Sequence, residues 1–298
     1  MKASNLGIYT DLPIAGEIPG GGIQPLGTGG CNTNTGYNNF TTAALYYEDA
    51  DVSIPPNTSS DIPVEPTYIT PFSCQNDPLN VTVPFFPIPL ADADLNLDVI
   101  ITGDNNATGQ FVWWMNNVTY LGDFNDPLLL EVKMGQTVFD TFRAMNDWSN
   151  YTSVRINLTG VGLPALHPMH VHGHNMQILS SGLGYWDGTI ENPENPTRRD
   201  TWSLPPLGYA VMQWDLNNPG VWPVCFNLRK SFALAMSLML TSQFHCHIAW
   251  HTSEGMILNF IEGSVADEVE VPYIMEQTCR DWSAWTGHDV VNILDSGL

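Results

Sequence analysis

Two short histidine runs constrain this chain more than anything else in it: His167-Pro168-Met169-His170-Val171-His172 and, farther on, His245-Cys246-His247 followed by His251. On an extended strand successive side chains point to opposite faces. Cys246 then faces one way and His245 and His247 the other, so a single strand can deliver ligands to two centres. A thiolate with two imidazoles and a weak axial ligand is the donor set of a copper electron-transfer site, and the remaining imidazoles suit metal on the opposite face. Electrons reaching the sulfur have a covalent path through Cys246 to the neighbouring centre. Isolated His-x-His pairs occur by chance on surface strands, and a lone buried Cys usually behaves as a small hydrophobe. Here six of the eight histidines occupy the two runs, and the runs complement each other chemically.

The strings HPMHVHGH, from His167, and HCHIAWHTSEGM, ending at Met256, resemble the two C-terminal copper motifs of multicopper oxidases, and of fungal laccases in particular. The resemblance implies that His167, Cys246 and His251 hold a type 1 copper with Met256 in the axial position. Many laccases carry Leu or Phe there, so a thioether implies axial ligation and a lower potential. It further implies that His170 serves a type 2 copper and that His172, His245 and His247 serve a type 3 pair. His174 is not a ligand in the family and takes a supporting role. The implied reaction is one-electron oxidation of phenols or aromatic amines coupled to four-electron reduction of O2 to water. Electrons enter at His251 and pass inward through Cys246. The ending Asp295-Ser296-Gly297-Leu298 resembles the tail of ascomycete laccases. Ascorbate oxidases and ferroxidases share the copper motifs, and a catalytically inactive copper-binding remnant is a third reading.

In the family the oxygen-reducing cluster takes eight imidazoles, four of them from the first domain. This chain has four at matching positions, with only His174 and His288 besides the type 1 ligands. The expectation is therefore the C-terminal half of an oxidase, inactive in isolation, with the first domain supplying the other ligands.

Short runs rich in Val, Ile, Thr and aromatics, such as Thr42 to Tyr47, Leu97 to Thr102, Gln110 to Trp114 and Tyr209 to Trp214, alternate with Gly, Pro, Asn and Asp clusters. That pattern predicts an all-β chain. The resemblance implies cupredoxin-like Greek-key β-barrels, one complete domain plus the end of a preceding one. Residues 1–53 would close the second domain, 54–83 would link, and 84–298 would form the third, copper-bearing domain.

Residues 224–243, VCFNLRKSFALAMSLMLTSQ, interrupt the resemblance between a phrase like NPGVW and FHCHIAWH. They carry the one helix-like apolar run, which is too short to span a bilayer. The readings are a surface insertion, a membrane-binding helix, or translated intron; codons for Val224-Cys225, Leu240-Thr241 and Gln243 admit a splice donor, branch point and acceptor, which favours the last.

The net charge of −22, from 31 acids against 9 bases, argues against nucleic acid or anionic membrane as a partner, because phosphate recognition needs Lys and Arg. Seven Asn-x-Ser/Thr sequons, at Asn39, Asn57, Asn80, Asn106, Asn117, Asn150 and Asn157, point to secretion and glycosylation. No apolar signal segment follows Met1, which reads as an internal methionine. Cys31 and Cys74 either pair or stay free; Cys279 resembles a laccase cysteine bonded to the first domain.

Overall fold

The computed structural model describes residues 12–13, 40–41, 76–218, 242–263 and 273–286, apart from Phe124 and Val161. The chain divides into two units, Met1–Asp77 and Pro78–Leu298. In the first, β1 (Leu12–Pro13) pairs antiparallel with β2 (Phe40–Thr41). Thr42 to Tyr47, Cys31, Cys74, Asn39 and Asn57 lie outside the described residues.

The second unit carries two sheets. One has six strands in the order β4-β3-β6-β11-β8-β9, formed by Phe111–Met115, Leu95–Asn105, Ser153–Thr159, Gly208–Asp215, Met176–Leu183 and Thr197–Arg199. The other has five, β10-β7-β12-β13-β5, formed by Thr201–Leu204, His167–Val171, Ser242–Cys246, Ile257–Ile261 and Met145–Asp147. Two pairings are parallel, β3 with β6 and β13 with β5.

Alternation explains the layering. Along β6, Val154, Ile156 and Leu158 are fully buried, whereas Arg155 and Asn157 stay partly exposed on the other face. The same period on both sheets turns Ile101, Met212, Met169, Val171, Phe244 and Phe260 into one shared core, the solution by which two half-apolar sheets bury their faces. Aromatic stacking fills its end: Trp148 lies on Phe260 with ring centroids 4.5 Å apart, and Trp214 on Phe244 at 5.8 Å.

The all-β expectation holds for this unit, with one correction. A helical period was expected only within 224–243, yet a 14-residue helix spans Tyr273–Thr286 (here α3, after α1 at Leu128–Lys133 and α2 at Ala249–Ser253). It buries no residue among the described ones, although its apolar side chains favour one face. Polar pairs run along its surface, Arg280 to Glu276 at 3.3 Å and the Gln277 amide donating to Asp281 at 2.7 Å, the spacing at which helical neighbours meet, and the Trp282 indole donates to Asn125 at 3.3 Å. The described residues take in the last two positions of the suspected insert. Ser242 and Gln243 are the first residues of β12, both buried and paired with Phe260 and Asn259. The rest of that segment lies outside the described residues. Among the described residues no helix is long and apolar enough to cross a membrane.

Of the described sequons, Asn80, Asn117 and Asn150 are exposed. Asn157 sits in a central strand with its amide donating to Asp98 at 2.9 Å, and is the least suited to carry a glycan.

Burial fixes the expected cost of substitutions on β6 and its neighbour. Leu158→Ala should destabilise the unit by about 2–5 kcal/mol. Ile100→Ala on β3, 54% exposed, should stay within roughly 0.5 kcal/mol. Urea denaturation of the two variants checks both.

Candidate metal centre

β12 is an inner strand, flanked by β7 and β13, and its register sets His245 opposite His170 and Cys246 opposite Met169. Cys246 points into the core, fully buried, while His245, 4% exposed, faces the other side. The chain then turns into α2, which returns His251 to the cysteine's side. Thr252 secures that turn by donating its hydroxyl to the Cys246 carbonyl at 2.5 Å. The backbone comes back through Gly255 at φ +99°, a left-handed conformation that glycine adopts freely. A Cβ there would collide with the Thr119 hydroxyl. Met256 follows, fully buried, with its carbonyl accepting from the Cys246 N–H at 3.2 Å.

Two groups of donor atoms result. In the first, Nδ1 of His167 and Nδ1 of His251 lie 3.2 Å apart, and Sγ of Cys246 lies 3.9 and 3.6 Å from them. These are the separations of donors about 2.0–2.3 Å from a shared ion. In the second, Nε2 of His172 and Nε2 of His245 converge at 3.0 Å, with His170 alongside. Backbone carbonyls select the tautomers. His170 donates from Nδ1 to the Asp200 carbonyl and His245 from Nδ1 to the Cys246 carbonyl, both at 2.8 Å, which leaves each Nε2 as a lone pair.

Electrostatics prepares both groups for a cation. Burial, with the neighbouring His251, pushes the His167 pKa down to about 3. Burial, then His172, takes His245 to about 3, and burial takes His251 to about 4. All three are neutral ligands at neutral pH. Burial drives the Cys246 thiol up to about 12, so a bound cation would displace its proton. Converging neutral lone pairs beside a thiol fit a soft, imidazole-preferring metal.

Every expected ligand except His247 and Met256 therefore falls in one of the two groups. His247 is exposed at the end of β12, its ring 5.5 Å from that of His170 and 5.8 Å from that of His245. His174 donates from Nδ1 to the His172 carbonyl at 2.8 Å and sets Nε2 3.2 Å from the Glu262 carboxylate. Burial alone would lower its pKa, but Glu262, together with the His172 carbonyl and Asp215, raises it overall. Sequence reasoning missed Glu262: one acid after an apolar strand carries no signal of its buried partner.

The matches to known proteins follow this geometry. Residues 101–225 and 241–265 match the multicopper oxidase family, and laccase-1 of Botryotinia fuckeliana is 31% identical over 277 residues, 90% of this chain. The chain belongs to the multicopper oxidases. It covers 43% of that laccase, and likewise 43% of the solved laccase from Botrytis aclada, to which it is similar at 25% identity and a TM-score of 0.61. The multicopper oxidase Fet3p, at 21% identity and a TM-score of 0.55, shares the fold. The cupredoxin-like fold expected from the motifs is thus the fold observed. Membership of the family implies copper, and the two donor groups are arrangements that could hold a metal ion. The family match breaks at 226–240, a shorter gap than the suspected 224–243.

Two titration experiments test this electrostatic picture. Zinc binding to the reduced apoprotein at pH 7 should release about one more proton in the parent chain than in Cys246→Ser, because the thiol alone of the first group is protonated; calorimetry in buffers of differing ionisation enthalpy counts it. Stability of the apoprotein should also fall with acid. Unfolded imidazoles protonate near pH 6.5, whereas His167, His245 and His251 resist until about 3 to 4, so the unfolded chain gains protons first as pH drops through that window. His174, raised, opposes this with a single group. A urea midpoint that stays flat from pH 7 to 4 would contradict the assignment.

Proposed function

We propose that the chain is the type 1-bearing C-terminal part of a laccase-like oxidase, which removes single electrons from phenols or aromatic amines and delivers them toward O2, reduced to water by four electrons. The observation that carries this reading is the split of one strand's ligands: Cys246 with His167 and His251 on one side, His245 with His170 and His172 on the other. His167, Cys246 and His251 would hold the type 1 copper with Met256 axial, and His170, His172, His245 and His247 would contribute to the type 2 and type 3 sites. Bound copper supplies the one-electron redox chemistry. The protein's residues fix the donors and the route. His251 is half-buried, and Trp250 beside it is 48% exposed, so an aromatic reductant can approach its ring edge. The peptide bond between Cys246 and His245 links the two groups covalently.

The chain spans less than half the length of the laccases it matches, and we assign the remaining cluster imidazoles to a domain outside it. Secretion and glycosylation are part of the same proposal, supported by the exposed Asn80, Asn117 and Asn150 sequons and by similarity to fungal laccases. The acidic surface leaves nucleic acid and membrane out as partners. Met256 supports a second reading, an ascorbate oxidase or ferroxidase relative; comparing turnover of a phenol, ascorbate and ferrous iron by the complete protein separates the two.

The test is copper stoichiometry. The chain alone should bind about one copper tightly, show an intense thiolate-to-copper absorption that Cys246→Ser abolishes, and consume no oxygen with a phenol above a free-copper control. Oxygen uptake by the chain alone would overturn the ligand assignment. The family match breaks within residues 224–243, and we ascribe that segment to a retained intron. Deleting Val224 to Gln243 should raise copper occupancy; a mature peptide spanning Leu228 to Met239 would refute the intron.

A further inference from the structure

Metal-ligating histidines are ordinarily oriented by their second ring nitrogen, which donates to a carboxylate or carbonyl. His167 breaks that pattern. It is fully buried, its Nδ1 faces His251 and Cys246, and its Nε2 has no hydrogen-bond partner among the described residues. The side-chain hydrogen bonds of His251 among the described residues also go only to members of its own group. What touches both rings is an indole. Trp113 on β4, 7% exposed, packs its edge against His167 at 5.0 Å and 77°, and against His251 at 4.9 Å and 55°.

The indole is itself held by an acid. Its Nε1–H donates to Oε2 of Glu254 at 3.0 Å, and its backbone N–H donates to the Glu254 carbonyl at 2.8 Å. Glu254 caps the C-terminal end of α2, the turn that presents His251. A carboxylate at the carbonyl end of a helix is locally unfavourable, and the charge-assisted bond to a buried donor offsets that cost. The clamp joins β4 to the turn between α2 and β13 at two points. Neither residue belongs to a donor group.

We propose that Glu254 is the positioning residue of the His167–Cys246–His251 group: its carboxylate fixes the Trp113 indole against both imidazoles, so the group's geometry depends on a hydrogen bond one ring removed from the ligands. The inference rests on the metal reading of that group. Trp113 replaces by packing what a hydrogen bond to each imidazole would otherwise supply, and Glu254 prevents the indole from rotating within its slot. Gln at 254 keeps an acceptor oxygen, whereas Ala removes it. Phe at 113 keeps a ring but loses the donor.

The test uses cobalt(II) as probe in the reduced full chain, with the cobalt–thiolate charge-transfer band, absent in Cys246→Ser, reporting the geometry of this group alone. Glu254→Ala should weaken cobalt binding roughly 10–100-fold, the range seen when the outer partners of metal ligands are removed, and shift the band. Trp113→Phe should do the same, the double variant should be no worse than either single one, and Glu254→Gln should restore the parental band. Carbon and nitrogen resonances of the His167 and His251 rings in the metal-free protein give the same comparison without metal, and should broaden in Glu254→Ala but not in Glu254→Gln. Unchanged ring resonances in Glu254→Ala would overturn the clamp. Parental chain that binds no cobalt through Cys246 would sink the metal reading instead, leaving the ring resonances to decide the clamp. Equal losses in Gln and Ala would show that the charge, and not the hydrogen bond, is what matters, and would also overturn the proposal as stated.

Discussion

The alternation of side chains along β12 is the constraint on which the rest of this unit depends. Three consecutive residues serve two opposite faces only while the strand stays extended and in register, and a slip of one residue would exchange the faces of Cys246 and His245. The pairing guards against this from both sides: β7 brings His170 opposite His245, and β13 brings Ile257 opposite it. The cysteine side is anchored in the shared core through Met169 and Phe244. The buried apolar contacts that hold the sheets together therefore also hold the register of the ligands.

Each donor group shows the same economy of means. Backbone carbonyls at the strand ends and at Asp200 choose the tautomers of His170 and His245, and burial keeps the imidazoles neutral. Where no carbonyl reaches, aromatic packing takes over, as at His167. The His174–Glu262 pair contributes from behind, tying the turn after β7 to the end of β13 through the His172 carbonyl. The supporting groups come from β4 and from the distant stretch that runs through the α2 turn into β13, and the two meet only in the folded sheets.

Much of the fold was legible because strands with one buried face write their period into the chain. Leu97 to Thr102 and Tyr209 to Trp214 each fall within an observed strand, and Gln110 to Trp114 overlaps one that begins at Phe111. The α3 helix escaped that reading although its apolar residues favour one face, and that face buries no residue among the described ones. Ser242 and Gln243 look like loop residues by composition, and only their burial and their pairing with β13 make them strand.

The sequence by itself determined that Cys246 and His245 lie on opposite faces of β12, because alternation on an extended strand leaves no freedom in that choice. His167, Cys246 and His251 converge as the motifs implied, and so do His170, His172 and His245. Only the tertiary structure decided what surrounds them. The exposure of His247, the carbonyls that choose tautomers, the carboxylate of Glu262 behind His174 and the Glu254–Trp113 clamp all depend on contacts between distant segments. A ligand motif is local and periodic, and can be read along one strand. Its supporting shell is set by which strands lie side by side, and that is a property of the packed sheets.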